Sequence, residues 1–260
     1  MIFTWWKKNR RDLPWRRTHD PYKILVSEVM LQQTQVSRVL PKYKEFLIAF
    51  PDVQALANAS PAEVLRIWKG MGYNRRALYL KETAQTVFKQ YGGDFPKSEQ
   101  KLIKLPGLGK YTARALLVFA YKEQVAMVDT NIRQIITHFF FEDKQQKESI
   151  IQKVADQLLP KGKSWEWHQA LMDYGSEELK SLNFKIKNGK SQKPFKESNR
   201  FYRGRVIDKL REHQMREFMF LKEFGDIYDK SEDFLLGILE GLIKDGLVVR
   251  KNGKIQLPES

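Results

Sequence analysis

Apolar residues recur at helical spacing along most of the first 180 residues, and glycine pairs cut that pattern into short helices. No strand–helix–strand alternation accompanies it, so a parallel α/β sheet is disfavoured and an all-α architecture is expected. A helical pattern follows Asp20-Pro21 and runs over 20–49, carried by Ile24, Val26, Met30, Leu31 and Val36. Ser60-Pro61-Ala62-Glu63 reads as a capping box, with Ser as N-cap, Pro in the first turn and Glu three residues on. The helix it opens carries Val64, Leu65, Ile67 and Trp68 and stops at Gly70-Met71-Gly72. The next spans 75–91 and ends at Gly92-Gly93; others are expected over 111–121, 131–139, 146–159 and 166–180.

Composition narrows the function. The 260 residues hold 46 Lys and Arg against 31 Asp and Glu, a formal charge of +15. With 42% apolar and 12% aromatic residues the chain can bury a core and does not read as disordered. No run reaches the ~18–20 uncharged apolar residues of a membrane span. Phe3, Trp5 and Trp6 precede Lys7-Lys8-Asn9-Arg10-Arg11, the reverse of a signal peptide's order. The absence of cysteine removes disulfides, thiol nucleophiles and cysteine-held metal or iron–sulfur sites, and the four His show no metal-ligand spacing. A soluble, cytoplasmic protein is expected. A pI near 9.7 makes a polyanion its first candidate partner.

From Asn183 to Arg205 the composition shifts: Lys185, Lys187, Lys190, Lys193, Lys196, Arg200, Arg203 and Arg205 meet only Glu197. This reads as a solvated linker or a basic arm. Beyond it, helices over 203–212 and 231–245 precede a hairpin signal, Asn252-Gly253 between alternating apolar residues. Helices followed by a terminal hairpin suggest a small winged-helix-like module. The expected division is a helical domain over 1–182, a basic linker over 183–202 and the module over 203–260.

Leu105-Pro106-Gly107-Leu108-Gly109-Lys110 lies between two helical patterns. Alternate glycines let the chain turn with φ above zero. They also leave N–H groups open at the start of the next helix, where the dipole favours an anion. Leu105, Gly107, Gly109 and Lys110 are then candidates to hold a DNA phosphate in a helix-hairpin-helix grip; the plainer reading is a tight turn between helices.

The run Arg11-Asp12-Leu13-Pro14-Trp15-Arg16, with Asp20-Pro21-Tyr22-Lys23-Ile24-Leu25-Val26-Ser27-Glu28-Val29-Met30-Leu31-Gln32-Gln33-Thr34-Gln35-Val36, resembles the MutY-type adenine DNA glycosylases of the helix-hairpin-helix superfamily. Gly70-Met71-Gly72-Tyr73, the 105–109 hairpin, Val128-Asp129-Thr130-Asn131 and Gln169-Ala170-Leu171-Met172-Asp173 follow in that family's order. The resemblance implies two helical lobes with an active site in the cleft between them. It implies that Glu28 protonates N7 of a flipped adenine and that Asp129 faces the sugar C1′. Breaking an N-glycosidic bond calls for such a pair, an acid for the leaving base and an anion for the oxocarbenium-like sugar. Glu28 lies among Val26, Val29, Met30 and Leu31, where burial raises a carboxyl pKa, while a helix start near Asn131 helps keep Asp129 ionised.

Tyr111 stands where relatives that also cut the backbone carry a Schiff-base lysine, which implies hydrolysis without lyase action; the adjacent Lys110 points elsewhere on the helix, towards phosphate. By the same resemblance Gln33 and Tyr73 probe the vacated stack, and Arg11, Trp15, Arg16 and Gln169 line the adenine pocket. The expected partner is double-stranded DNA with a mispaired or damaged base, met by a nucleoid-associated monomer with no membrane contact.

The chain also departs from that family. Ser176-Glu177-Glu178-Leu179-Lys180-Ser181-Leu182 stands where four cysteines usually hold an iron–sulfur cluster, so no cofactor is expected. The family's nudix-like C-terminal domain, which recognises 8-oxoguanine, is expected to be missing, with winged-helix character in the residues that remain, and Asn74 stands where a second Tyr is usual. Two other readings stay open. Thymine or uracil mismatch glycosylases share Leu-Pro-Gly-x-Gly-Lys-Tyr and a run like Ala126-Met127-Val128-Asp129. A DNA-binding regulator fits the charge and the tail but has no need of Glu28 and Asp129.

Overall fold

The computed structural model describes residues 1–181 and 194–259. Lys185, Lys187, Lys190 and Lys193, on which the expected basic arm largely rests, lie outside the described residues. The helices are α1 (Ile2–Asn9), α2 (Pro21–Leu31), α3 (Val36–Ala49), α4 (Val53–Asn58), α5 (Pro61–Ile67), α6 (Arg75–Tyr91) and α7 (Glu99–Leu102). They continue as α8 (Lys110–Phe119), α9 (Thr130–Phe141), α10 (Glu148–Leu158), α11 (Ser164–Ser181), α12 (Asn199–Glu212), α13 (Glu217–Tyr228) and α14 (Glu232–Lys244). Short strands β1 (Met215–Arg216), β2 (Val249–Lys251) and β3 (Lys254–Gln256) complete the elements. The mostly helical expectation holds. Among the described residues no helix is long and apolar enough to cross a membrane.

The chain forms two compact units, one of Met1–Val29 and Phe95–Lys190, the other of Met30–Asp94 and Ser191–Ser260. In the first, α9, α10 and α11 bury Ile132, Ile135, Ile136, Ile151, Trp167 and Leu171 against one another. Each such side chain contributes roughly 1.5–3 kcal/mol on burial. The α1 helix is tied onto α11 by indole N–H groups, Trp6 Nε1 donating to Asp173 (2.8 Å) and Trp5 Nε1 to Glu178 (3.0 Å). The short α7, the Pro106–Gly109 turn and α8 make the helix-hairpin-helix, with Leu105 and Leu108 buried beneath it.

In the second unit Phe46, Leu56, Leu65, Trp68 and Leu80 are fully buried. The capping box forms: Ser60 Oγ accepts from Glu63 N (3.2 Å) and Glu63 Oε2 from Ser60 N (2.6 Å). The C-terminal elements run α12–β1–α13–α14–β2–β3, the order of a winged helix, with an antiparallel sheet ordered β1-β3-β2. Asn252 (φ 51°) and Gly253 (φ 69°) supply the left-handed pair that a two-residue hairpin turn needs. These elements share their unit with α3–α6, and Ala62 N donates to the carbonyl of Pro258 near the chain end (2.8 Å).

The structure differs from the expected elements in several places, the short helices α1, α4 and α7 among them, which the sequence pattern does not mark. The helix expected over 20–49 is broken between Leu31 and Val36, because Gln33 is left-handed (φ 54°) and Arg76 donates to the carbonyls of Met30 and Gln32. The helix expected from 203 begins at Asn199. The α13 helix was not anticipated: Phe218, Met219 and Ile227 are exposed while Phe220 and Phe224 are buried, so its apolar residues do not keep to one face.

Candidate active site

In the first unit, α2, α8 and the start of α9 bring three predicted residues together. Glu28, on the apolar α2, is 4% exposed and accepts a hydrogen bond from Tyr111 on α8. Burial pushes the Glu28 carboxyl up to about 7; the Tyr111 hydroxyl pulls it down and the charge of Asp129 pushes it up further. Tyr111 itself is held well above the usual phenol value by burial and by both carboxylates. Asp129 is the N-cap of α9 and accepts from Ile132 N (2.7 Å) and Asn131 Nδ2 (2.9 Å). Burial nevertheless raises its carboxyl above the ordinary aspartate value, against the pull of those donors. The pair is therefore unequal: Asp129 has dedicated donors that favour its anion, while Glu28 is placed to hold a proton near neutrality.

The segment leading into Asp129 is anchored from three helices. Arg114 Nη1 of α8 and Gln152 Nε2 of α10 both donate to the Ala126 carbonyl, at 2.8 and 3.0 Å. His168 of α11 accepts from Met127 N (3.0 Å) through Nε2, so its proton sits on Nδ1 and is given to the Ser164 carbonyl (2.6 Å). Burial pushes that imidazole down to about 4 and keeps it neutral. Gly175 lets α11 approach the start of α9: a Cβ there would lie 2.6 Å from Asn131 Cβ and 3.2 Å from Asn131 Cα.

Arg11 and Arg16, expected in the adenine pocket, converge on Asp173, which is fully buried. Arg11 Nε lies 2.5 Å and Arg16 Nη2 2.7 Å from its carboxylate, which the two guanidinium groups hold below the usual aspartate range against the cost of burial. Trp15 is buried in the same unit, and Gln169 is buried on α11. Asp173, the last residue of the Gln169-Ala170-Leu171-Met172-Asp173 run, has no role in the sequence reading; its place in a run that follows the resembled family's order is the signal that could have found it. At the hairpin, Gly107 is left-handed (φ 71°), Gly109 is the N-cap of α8, and Lys110 opens the helix exposed. Among the described residues the Gly107 and Gly109 N–H groups have no backbone acceptor, which leaves them open to an anion.

In the second unit, Gln33 and Tyr73 lie on two loops joined by one residue the sequence did not single out. Arg76 donates to Met30 O and Gln32 O beside Gln33, and to Met71 O (3.1 Å) and Gly72 O (3.3 Å) beside Tyr73. The iron–sulfur cluster of the resembled family does not fit this chain, because there is no thiolate to ligate it. Among the described residues no cluster of His, Asp and Glu suits a metal ion.

A glycine hairpin opening a helix, with a buried Glu beside a half-buried Tyr and Asp in an otherwise helical fold, defines a helix-hairpin-helix protein of the base-excision class. Residues 26–161 match the HhH-GPD superfamily base excision DNA repair proteins, and the chain belongs to that superfamily. It is similar to an adenine DNA glycosylase of Mycolicibacterium smegmatis, 47% identical over 137 residues that cover 52% of this chain and 47% of that protein. The chain thus spans about half the length of that relative. It is also similar to a thymine/uracil-DNA glycosylase of Methanothermobacter thermautotrophicus, 34% identical over 179 residues that cover 67% of this chain and 81% of that one. Among solved structures, a thermostable thymine-DNA glycosylase superposes with a TM-score of 0.64 at 34% identity, covering 68% of this chain and 83% of that one.

Proposed function

We propose that this chain is a monofunctional DNA N-glycosylase that extrudes a mispaired adenine from a duplex and hydrolyses its N-glycosidic bond. The observation that carries the reading is the buried Glu28, pushed up to about 7 beside Asp129 and Tyr111. Protonated Glu28 delivers its proton to N7 of the adenine; the C1′–N9 bond breaks with its electron pair leaving on the base. Ionised Asp129 stabilises the positive sugar until water adds at C1′. Tyr111 has no amine and forms no imine, so the product is an abasic site with an intact backbone. The hairpin N–H groups and Lys110 grip a phosphate nearby.

A second reading, excision of thymine or uracil opposite guanine, draws on the relative of which the chain covers 81%. One duplex panel separates them: adenine opposite guanine or 8-oxoguanine, and thymine or uracil opposite guanine, with alkali to reveal abasic sites. Alkali-labile product at adenine, with no adduct trapped by borohydride, is the expected result. Removal of the pyrimidines alone selects the second reading, and a trapped adduct overturns the imine-free mechanism.

A further inference from the structure

Tyr73 ends the loop between α5 and α6 in a left-handed conformation (φ 46°) that a bulky residue adopts only where its surroundings impose it. Its ring is held at the surface, 40% exposed. Arg76 supplies the constraint from below, its terminal nitrogens spent on the Met71 and Gly72 carbonyls and on the Gln33 loop. A second guanidinium reaches the same ring from the winged-helix elements. Arg200, on the first turn of α12, lies 5.0 Å from the Tyr73 ring centroid and 4.8 Å from that of Phe195, and its Nη1 donates to Tyr73 Oη.

Arg200 differs from the other arginines of its helix. Arg203 pairs with Asp245, and Arg205 and Arg211 pair with Asp208, whereas among the described residues no carboxylate pairs with Arg200. Among the described residues its donors beyond the bond to the tyrosine have no hydrogen-bond acceptor. Its place is nonetheless fixed, because Arg211 Nε donates to Leu65 O (2.8 Å) and Arg211 Nη2 to Asn74 Oδ1 (2.9 Å), beside Tyr73. Asn74, unusual for the resembled family, is thus a docking point for α12.

We propose that Arg200 is a specificity-determining residue that reads the base opposite the excised nucleotide, and that the base it selects is guanine. The inference rests on the base-extruding function proposed above. A planar fork of N–H donors matches two neighbouring acceptors, which guanine presents as O6 and N7. In 8-oxoguanine N7 carries a hydrogen, so the same corner offers one acceptor and one donor, and the fork fits it worse. With Tyr73 in the vacated stack, its hydroxyl-bound partner Arg200 is carried to the base left unpaired.

The test is affinity for duplexes holding a tetrahydrofuran abasic analogue opposite guanine, 7-deazaguanine, 2-aminopurine or 8-oxoguanine. These lack, respectively, nothing, the N7 acceptor, O6, and the N7 lone pair. The wild-type chain is expected to bind opposite guanine roughly tenfold or more tightly than opposite the other three, the effect of breaking a bidentate hydrogen-bonded pair. Arg200→Ala should lower guanine affinity to the level of the others. Arg200→Lys, which keeps the charge but not the fork, should lose the same discrimination, and this variant carries the test if the alanine form does not fold. Equal weakening on all four duplexes, or no weakening, overturns the proposal. Because no turnover is needed, a wild type that removes no adenine sinks the proposed function while the affinities still decide on Arg200.

Discussion

Glu28 works against the stability of the fold that holds it. Its carboxyl rises from 4.5 to about 7 on folding, so its contribution to stability is fully present below pH 4.5 and is lost as pH rises through 7. At pH 8 the folded chain carries a buried anion that costs up to about 3 kcal/mol relative to the unfolded chain. Glu28→Gln removes that anion, keeps the shape, and leaves no proton for the leaving base. The expected variant is therefore inactive yet more stable at pH 8, by up to about 3 kcal/mol in urea unfolding, with a much smaller gain at pH 5. Wild-type single-turnover excision should fall about tenfold per unit above pH 7, as the acid form is depleted. A variant no more stable at pH 8 than the wild type would show that no buried anion opposes folding at this position.

At the scale of elements, the proposed excision turns on how closely α11 approaches the start of α9. Alanine in place of glycine inside a helix ordinarily stabilises by about 0.5–1 kcal/mol. Gly237 in α14, where an added methyl would meet nothing within 4 Å, should follow that rule. Gly175 should not, since its Cβ would meet Asn131 Cβ at 2.6 Å and the Asn131 backbone at 3.2 Å, which cannot swing aside. Gly175→Ala must push the α9 N-terminus, and Asp129 caps it. A shift of this kind is expected to slow single-turnover excision by up to about a hundredfold, with a stability loss of about 1–3 kcal/mol, while Gly237→Ala leaves the rate unchanged. Full activity in Gly175→Ala would mean that Asp129 is positioned by its loop alone.

These elements also show what the sequence could reveal. The Ser60 capping box and the Asn252-Gly253 turn were legible because each is closed by residues a few positions apart. The interruption after Leu31 was not, because its cause, Arg76, arrives from a distant helix. The same divide runs through the site. Glu28, Tyr111 and Asp129 could be picked out by resemblance and chemistry, and the fold brings them together. The partners that hold them, His168 and Gly175, and the engagement of Arg11 and Arg16 by Asp173, depend on helix–helix approach that no local pattern encodes.

For the whole molecule the question is where a +15 chain meets a polyanion. In a groove-reading winged helix, α14 would be expected to carry basic donors; here it carries Glu232, Asp233 and Glu240 against Lys244. Arg250 is neutralised by Glu217 and Glu240. The opposite holds across the small sheet, where Arg216 pairs in register with Lys254, and Lys254 with Lys251. Like charges directly opposite destabilise a sheet, and among the described residues none of the three has an ion-pair partner. A phosphate backbone would relieve that repulsion. Replacing Arg216, Lys251 and Lys254 together by Ala should therefore leave the fold as stable or slightly more so. It should also flatten the log–log salt dependence of duplex binding by about 0.9 for each phosphate no longer neutralised. Replacing Lys244 of α14 should leave that slope unchanged. Destabilisation of the triple variant with an unaltered slope would make the row a structural feature of the sheet and leave phosphate binding to the hairpin at Gly107, Gly109 and Lys110.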